Sequence, residues 1–274
     1  MKHKTRYRTI WLSDIHLGTK DCRVEPLLEF LSSFECDHLY FVGDVIDVWS
    51  LRRKWYWPTS HNHVVRKIIK RDVKGTQITF IPGNHDEVFR DYDGMTFGGV
   101  SVHKQAIHTC ADGKRLLVLH GDEFDAVVTN AKLITAVGDW LYYVLLWINR
   151  GLNQVRRLFR RPYWSLAGYI KNKVKSALQF VNNYEGYVAR AAREAGVQGV
   201  ICGHIHRPEV RMIGDILYCN CGDWVENCTA IVEHDDGRIE LLDLKHPGRH
   251  RKPTREKAAP QPISDPALQP LGHP

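Results

Sequence analysis

Side chains that bind metal ions and move protons stand in five short blocks: Asp14-Ile15-His16, Gly43-Asp44-Val45-Ile46-Asp47, Gly83-Asn84-His85-Asp86, His120-Gly121-Asp122 and Gly203-His204-Ile205-His206. Each follows an apolar run. Asp44 is the pivot, because Phe41-Val42 leads through a glycine into two carboxylates three residues apart. Singly, each block has a bland reading: Asp-x-His arises often by chance, Gly-Asp is a common turn, and a lone loop histidine is usually solvated. Five together, all supplying Asp, His or Asn from strand ends, can surround a pair of divalent cations that share one bridging carboxylate. Hard oxygen donors mixed with imidazoles suit Mn²⁺ or Fe and tolerate Zn²⁺, unlike the thiolate-rich sites of structural zinc. Two such cations lower the pKa of a shared water, so that hydroxide is available near neutral pH as a nucleophile.

The elements between the blocks read as an α/β fold. Residues 8–13 form a first strand ending at Asp14. A helix over 23–34, with Leu27, Leu28, Phe30, Leu31 and Phe34 at helical spacing, crosses to the strand that ends at Asp44. Continuously apolar strands of this kind belong to a parallel sheet buried on both faces, and ligands gather beyond the carboxyl ends of such strands. Residues 49–57 read as an aromatic and basic loop, 61–72 as a helix, and 77–81 as the strand that delivers Asn84 and His85. Gly98-Gly99 and Asp112-Gly113 mark hairpins. The run 115–119 presents His120. A helix over 187–195, closed by Gly196, precedes the strand 200–202 and its two histidines. Runs at 210–213, 216–218, 228–234 and 238–242 are expected to complete a second sheet.

The chain has 274 residues, 43% hydrophobic and 25% charged, enough for a full core. One domain is expected over 1–246 with a helical insertion over about 124–184, followed by a Pro-rich disordered tail over 247–274 that holds seven of the twelve prolines. The seven cysteines are odd in number and lack a Cys-x-x-Cys pair, so they read as reduced thiols. Met1-Lys2-His3-Lys4 passes almost directly into a strand, which argues against an export signal and for a cytoplasmic protein. Of the net charge of +7, the stretch 140–184 contributes +8 without one acidic residue, leaving the remainder near neutral.

In order and completeness the five blocks resemble the signature of calcineurin-like metallophosphoesterases, over about 9–243. The resemblance implies a four-layer α-β-β-α sandwich of two mixed sheets with a helical lid insertion. It implies one metal on Asp14, His16, Asp44 and His206 and a second on Asp44, Asn84, His120 and His204, with Asp44 bridging. It also implies that Asp47 orients His85 for charge stabilisation or protonation of a leaving oxygen, a pair whose removal should leave the metals bound.

Gly203-His204-Ile205-His206-Arg207-Pro208, Trp49 and the insertion are further similar to bacterial UDP-2,3-diacylglucosamine pyrophosphohydrolases of lipid A synthesis. That resemblance implies an acylated nucleotide-sugar or lipid phosphate substrate, cleaved with two metal ions, Mn foremost and Fe or Zn as other fits. Trp49, Arg156, Arg157, Arg160, Arg161 and Arg207 are then candidate substrate contacts. His85 departs from the pattern, where that group carries Arg. A pyrophosphate releases a phosphate, which needs charge neutralisation, whereas an alkoxide benefits from an acid such as His85, so a paralogue acting on another phosphoester is the alternative. The apolar run 133–148 is shorter than a membrane span and leads into Arg156-Arg157-Leu158-Phe159-Arg160-Arg161. Apolar and basic together suit a lid that meets an anionic membrane surface, placing the enzyme peripherally on the inner face of the cytoplasmic membrane. The charge alone would also attract nucleic acid, but the apolar run is larger than a nucleic-acid face requires, which disfavours a nuclease.

Overall fold

The computed structural model of the protein describes residues 4–124 and 184–245. Almost all of the expected helical insertion and the whole of the expected tail lie outside the described residues, as do Arg156, Arg157, Arg160 and Arg161. In chain order the elements are β1 (Thr5–Leu12), α1 (Val24–Ser33), β2 (Phe34–Val42), α2 (Val48–Arg53), α3 (Thr59–Asp72), β3 (Gln77–Ile81), β4 (Thr96–Phe97), β5 (Val100–Val102), β6 (Ala106–Thr109) and β7 (Arg115–Val118). After the insertion come α4 (Tyr184–Glu194), β8 (Gly199–Cys202), β9 (Glu209–Ile213), β10 (Ile216–Asn220), β11 (Thr229–Glu233) and β12 (Ile239–Asp243).

The strands build two mixed sheets, ordered β12-β11-β1-β2-β3-β5-β4 and β6-β7-β8-β10-β9. Alternation along each strand explains the layering. Ile10, Leu12, Leu39 and Phe41 pack with Leu27, Phe30 and Val64 of α1 and α3. Their neighbours Trp11, Tyr40 and Val42 face Leu116, Val118 and Ile201 of the other sheet. On its far side the second sheet presents Leu117, Val200 and Cys202 to Val188, Ala189 and Ala192 of α4. Helices, sheet, sheet and helix therefore form the four expected layers, with apolar strands buried on both faces.

Two expectations need correction. The runs 228–234 and 238–242 do not complete the second sheet: β11 pairs antiparallel with β1 and carries β12 with it, so both extend the first sheet. Residues 49–57 are not wholly loop, because Asp47 caps α2 by accepting the Ser50 N–H at 2.7 Å.

The sheets are also joined by a polar clasp. Glu233, fully buried, accepts from Arg8 Nη1 at 2.6 Å, Thr9 Oγ1 at 2.7 Å and the Ala111 N–H at 2.7 Å, and lies 2.8 Å from His108 Nε2. Burial would raise its carboxyl, but His108, Thr9 and the Ala111 N–H outweigh it and hold the group at about 2. All seven cysteines are free and buried, and burial pushes the Cys22, Cys36, Cys110 and Cys202 thiols up to about 12, so they stay protonated. Among the described residues no helix is long and apolar enough to cross a membrane.

Candidate metal centre

Six strands point their carboxyl ends at one place. β1, β2 and β3 are parallel neighbours in the first sheet, as are β7, β8 and β10 in the second. Asp14 and Asp44 follow β1 and β2, Asn84 and His85 follow β3, and His120 and His204 follow β7 and β8. The loops are stitched within each sheet by Asp14 N to Gly43 O at 3.0 Å, His16 N to Asp44 O at 2.9 Å and Gly203 N to His120 O at 3.1 Å. Across the sheets, His204 N donates to Asp14 Oδ2 at 3.0 Å and Trp224 N to Asp14 O at 2.9 Å. Backbone torsion records the crowding. Asp14, His16, Asp44, His204 and His206 all sit at φ between 52° and 69°, the left-handed region that L side chains seldom occupy.

The side chains gather as two groups. Asp14, His16 and His206 form one and Asp44, His120 and His204 the other, with the ligating atoms of each group within 4.8 Å of one another. Asp44 Oδ2 stands between them, 3.9 Å from His16 Nε2 and 3.5 Å from His120 Nε2. His16 Nε2, Asn84 Oδ1 and His120 Nε2 are buried with no hydrogen-bond partner, and Asp14 Oδ1 lies 3.1 Å from His206 Nε2. Buried polar atoms are ordinarily satisfied, so donor atoms left unpaired on three separate loops, after β1, β3 and β7, fit cations. No thiol belongs to these groups, and the mixture of carboxylate, amide and imidazole suits Mn²⁺, Fe or Zn²⁺. Backbone space is also reserved: a methyl at Gly83 would overlap Asp44 Oδ1 and lie 2.7 Å from His120 Nε2, and one at Gly203 would lie 2.5 Å from Asp14 Oδ2.

The imidazoles are aimed from behind. His120 Nδ1 donates to Val42 O at 2.9 Å, which turns Nε2 inward. Asp47 Oδ2 lies 3.2 Å from His16 Nδ1 and 3.1 Å from His85 Nδ1. The expectation gave Asp47 to His85 alone; here one carboxylate oxygen serves both rings. Burial would raise Asp44, but His120, His16 and His85 hold its carboxyl below the ordinary range. In turn Asp44 raises His120 to about 10 against the effect of burial. The pocket thus draws in positive charge, the property divalent cations satisfy.

His85 turns Nε2 to within 3.9 Å of Asp44 Oδ2 and is covered by Trp49, whose ring centroid is 4.5 Å away. Arg207 follows His206 and is exposed. Two further groups brace the site: Asp86, read from the sequence only as the end of its block, and Asp223, not read from it at all. Asp86, fully buried, accepts the N–H groups of Gly83, Val45 and Ile46 at 2.6, 2.7 and 3.2 Å, tying the β3 loop to the β2 loop. Asp223, also fully buried, accepts the Val225 and Glu226 N–H groups and the Asn227 amide, while that amide donates to His206 O at 2.9 Å. A signal for Asp223 exists: Gly222-Asp223 ends an apolar strand run as Gly43-Asp44 does.

Two groups of carboxylate and imidazole at the strand ends, with Asp44 standing between them, are the donor sets expected of a metal-dependent hydrolase. A family model for calcineurin-like phosphoesterases matches residues 7–208, and the chain belongs to that family. It is similar to the UDP-2,3-diacylglucosamine hydrolase of Neisseria meningitidis serogroup B, with 25% identity over 244 residues covering 84% of this chain and 95% of the relative. The enzyme of that name from Aliivibrio fischeri is 23% identical over 250 residues, 83% of this chain and 94% of the relative. That from Porphyromonas gingivalis is 29% identical over 126 residues, 43% and 47% of the two chains.

Proposed function

We propose that this phosphoesterase hydrolyses the pyrophosphate of UDP-2,3-diacylglucosamine to UMP and 2,3-diacylglucosamine 1-phosphate. The observation that carries the reading is Asp44 Oδ2 placed between His16 and His120, in a chain whose similarity to hydrolases of that name spans nearly their whole length. Asp14, His16, Asp44 and His206 would hold one cation and Asp44, Asn84, His120 and His204 the other, with Mn²⁺ favoured. The cations, when bound, supply Lewis acidity and an acidified water. Asp47 holds the His85 ring and Trp49 covers it; Nε2 would then meet the reacting phosphate. Arg207, with Arg156, Arg157, Arg160 and Arg161 of the insertion, would meet substrate charge, and the insertion would cover the acyl chains at the inner face of the cytoplasmic membrane.

His85 favours a second reading. A histidine backed by a carboxylate suits protonation of an alkoxide better than neutralisation of a departing phosphate, which fits a paralogue acting on another phosphomono- or diester. A hydrolysis panel with Mn²⁺ separates the two: UDP-2,3-diacylglucosamine in detergent, simple UDP-sugars, an aryl phosphodiester and a phosphomonoester. Preferential cleavage of the acylated UDP-sugar supports the first reading. An enzyme active on the aryl diester but inert on that compound, with His85→Arg shifting the preference toward it, overturns the first reading in favour of the second.

A further inference from the structure

The segment joining the metal centre to α3 has a use that hydrolysis does not require. From Val48 to Arg71 the chain carries seven basic residues and no acidic one. α2 starts at the metal centre, where Asp47 caps it, and its six residues advance about 9 Å. Its far end presents Arg52, Arg53, Lys54 and Trp55, all exposed. None of these three cations is paired with a carboxylate among the described residues. The helix dipole accounts for favourable placement of Arg52 and Arg53 at a C-terminus, but not for the indole beside them. Trp55 is 74% exposed.

The two aromatic residues that follow are held down. Tyr56 and Trp57 pack on His61 at 5.8 and 5.3 Å, Trp57 Nε1 donates to Asn62 Oδ1 at 2.9 Å, and His61 Nδ1 accepts the Gly18 N–H at 3.2 Å. Leu51 fills the space over Gly18 on the helix side. Lys20 lies 5.9 Å above the Tyr56 ring, adding a fourth cation, with Asp21 the acid next to it in the chain. Trp55 is therefore an exposed indole that directly follows three unpaired cations in the chain and precedes two anchored aromatic residues. An amphipathic ring settles at the headgroup level of a bilayer, and clustered Lys and Arg are drawn to anionic lipid.

We propose that Arg52, Arg53, Lys54 and Trp55 form a membrane-docking rim that seats the mouth of the metal centre on an anionic lipid surface. The proposal rests on the reading of a diacylated substrate, which resides in a bilayer. It assigns the contact to residues outside the insertion in the chain.

The test uses the full-length protein, without substrate, and sedimentation with phosphatidylcholine vesicles with and without phosphatidylglycerol at low salt. The variant R52Q/R53Q/K54Q should bind the anionic vesicles about a hundredfold more weakly, roughly fivefold per neutralised charge, while its turnover of a soluble aryl phosphodiester is unchanged. Brominated lipid should quench part of the tryptophan fluorescence of the bound wild type, and Trp55→Phe should remove that part. Wild-type affinity in the triple variant, or quenching that survives Trp55→Phe, overturns the rim. So does a wild type that ignores anionic vesicles and binds single-stranded RNA instead, since a basic segment with an open indole also suits base stacking. Hydrolysis of the acylated UDP-sugar in detergent is scored separately, so failure of the substrate reading leaves the vesicle result legible.

Discussion

Asp47→Ala is expected to damage three things that sequence alone assigns to different places. The carboxylate lies 3.2 Å from His16 Nδ1 and 3.1 Å from His85 Nδ1, and accepts the Ser50 N–H at 2.7 Å. Removing the outer partner of a metal-binding imidazole costs about 10- to 100-fold in metal affinity. Releasing a positioned acid costs about 10²- to 10⁴-fold in turnover. Losing the cap of α2 costs about 1 kcal/mol, which lowers Tm by about 2–4 °C in a chain of this size. Asp47→Asn separates these effects: asparagine caps as well as aspartate, so Tm recovers while metal affinity and turnover do not. His85→Ala is the control that loses turnover and keeps both metals. Calorimetric titration of the metal-stripped proteins with Mn²⁺, beside turnover of an aryl phosphodiester at saturating metal, reads all three variants. If Asp47→Ala binds both metals as tightly as wild type and matches His85→Ala in turnover, the contact with His16 has no energetic weight and the reasoning fails.

Asp44→Ala should empty both metal positions, and a holo-like metal count by elemental analysis would remove Asp44 from the bridging role. Gly83→Ala adds one methyl against Asp44 Oδ1 and His120 Nε2 and should weaken Mn²⁺ binding by about 10- to 100-fold with circular dichroism unchanged; an unaltered titration contradicts the crowding. Glu233 has its folded pKa lowered, from 4.5 to about 2, so its contribution is complete above about pH 4.5 and is lost as pH falls toward 2. That interval is worth at most about 3 kcal/mol. Urea midpoints between pH 7 and 3 should therefore fall more steeply for wild type than for Glu233→Gln, and parallel curves would show that the clasp carries no such linkage.

Much of the fold was legible because its strands are apolar on both faces. Ile10, Trp11 and Leu12 are all fully buried, and a run with no polar side has few other places to go. The candidate ligands were legible for a related reason: each stands two to four residues beyond such a strand. Pairings between distant segments left no local mark. Nothing in 228–242 distinguishes a strand beside β1 from one beside β10, since either sheet would bury the same residues. The short helix α2 was missed because its signal is one cap at Asp47 rather than a periodic stripe. The double service of Asp47, the braces at Asp86 and Asp223 and the clasp on Glu233 each depend on which loops meet, and no spacing along the chain encodes that.

The left-handed backbone at Asp14, His16, Asp44, His204 and His206 restricts evolutionary drift as well as chemistry. Aspartate, asparagine and histidine visit that region several times more readily than other side chains, glycine visits it freely, and β-branched residues almost never do. Most single-nucleotide changes at these codons therefore fail twice, once for the ion and once for the chain. Two exits remain. Asparagine keeps the torsion and forfeits the charge, while glycine, one base away from aspartate, relaxes the torsion and forfeits the ligand. A descendant that kept this architecture after abandoning hydrolysis should record the loss first as glycine or asparagine at these positions, long before its core changes.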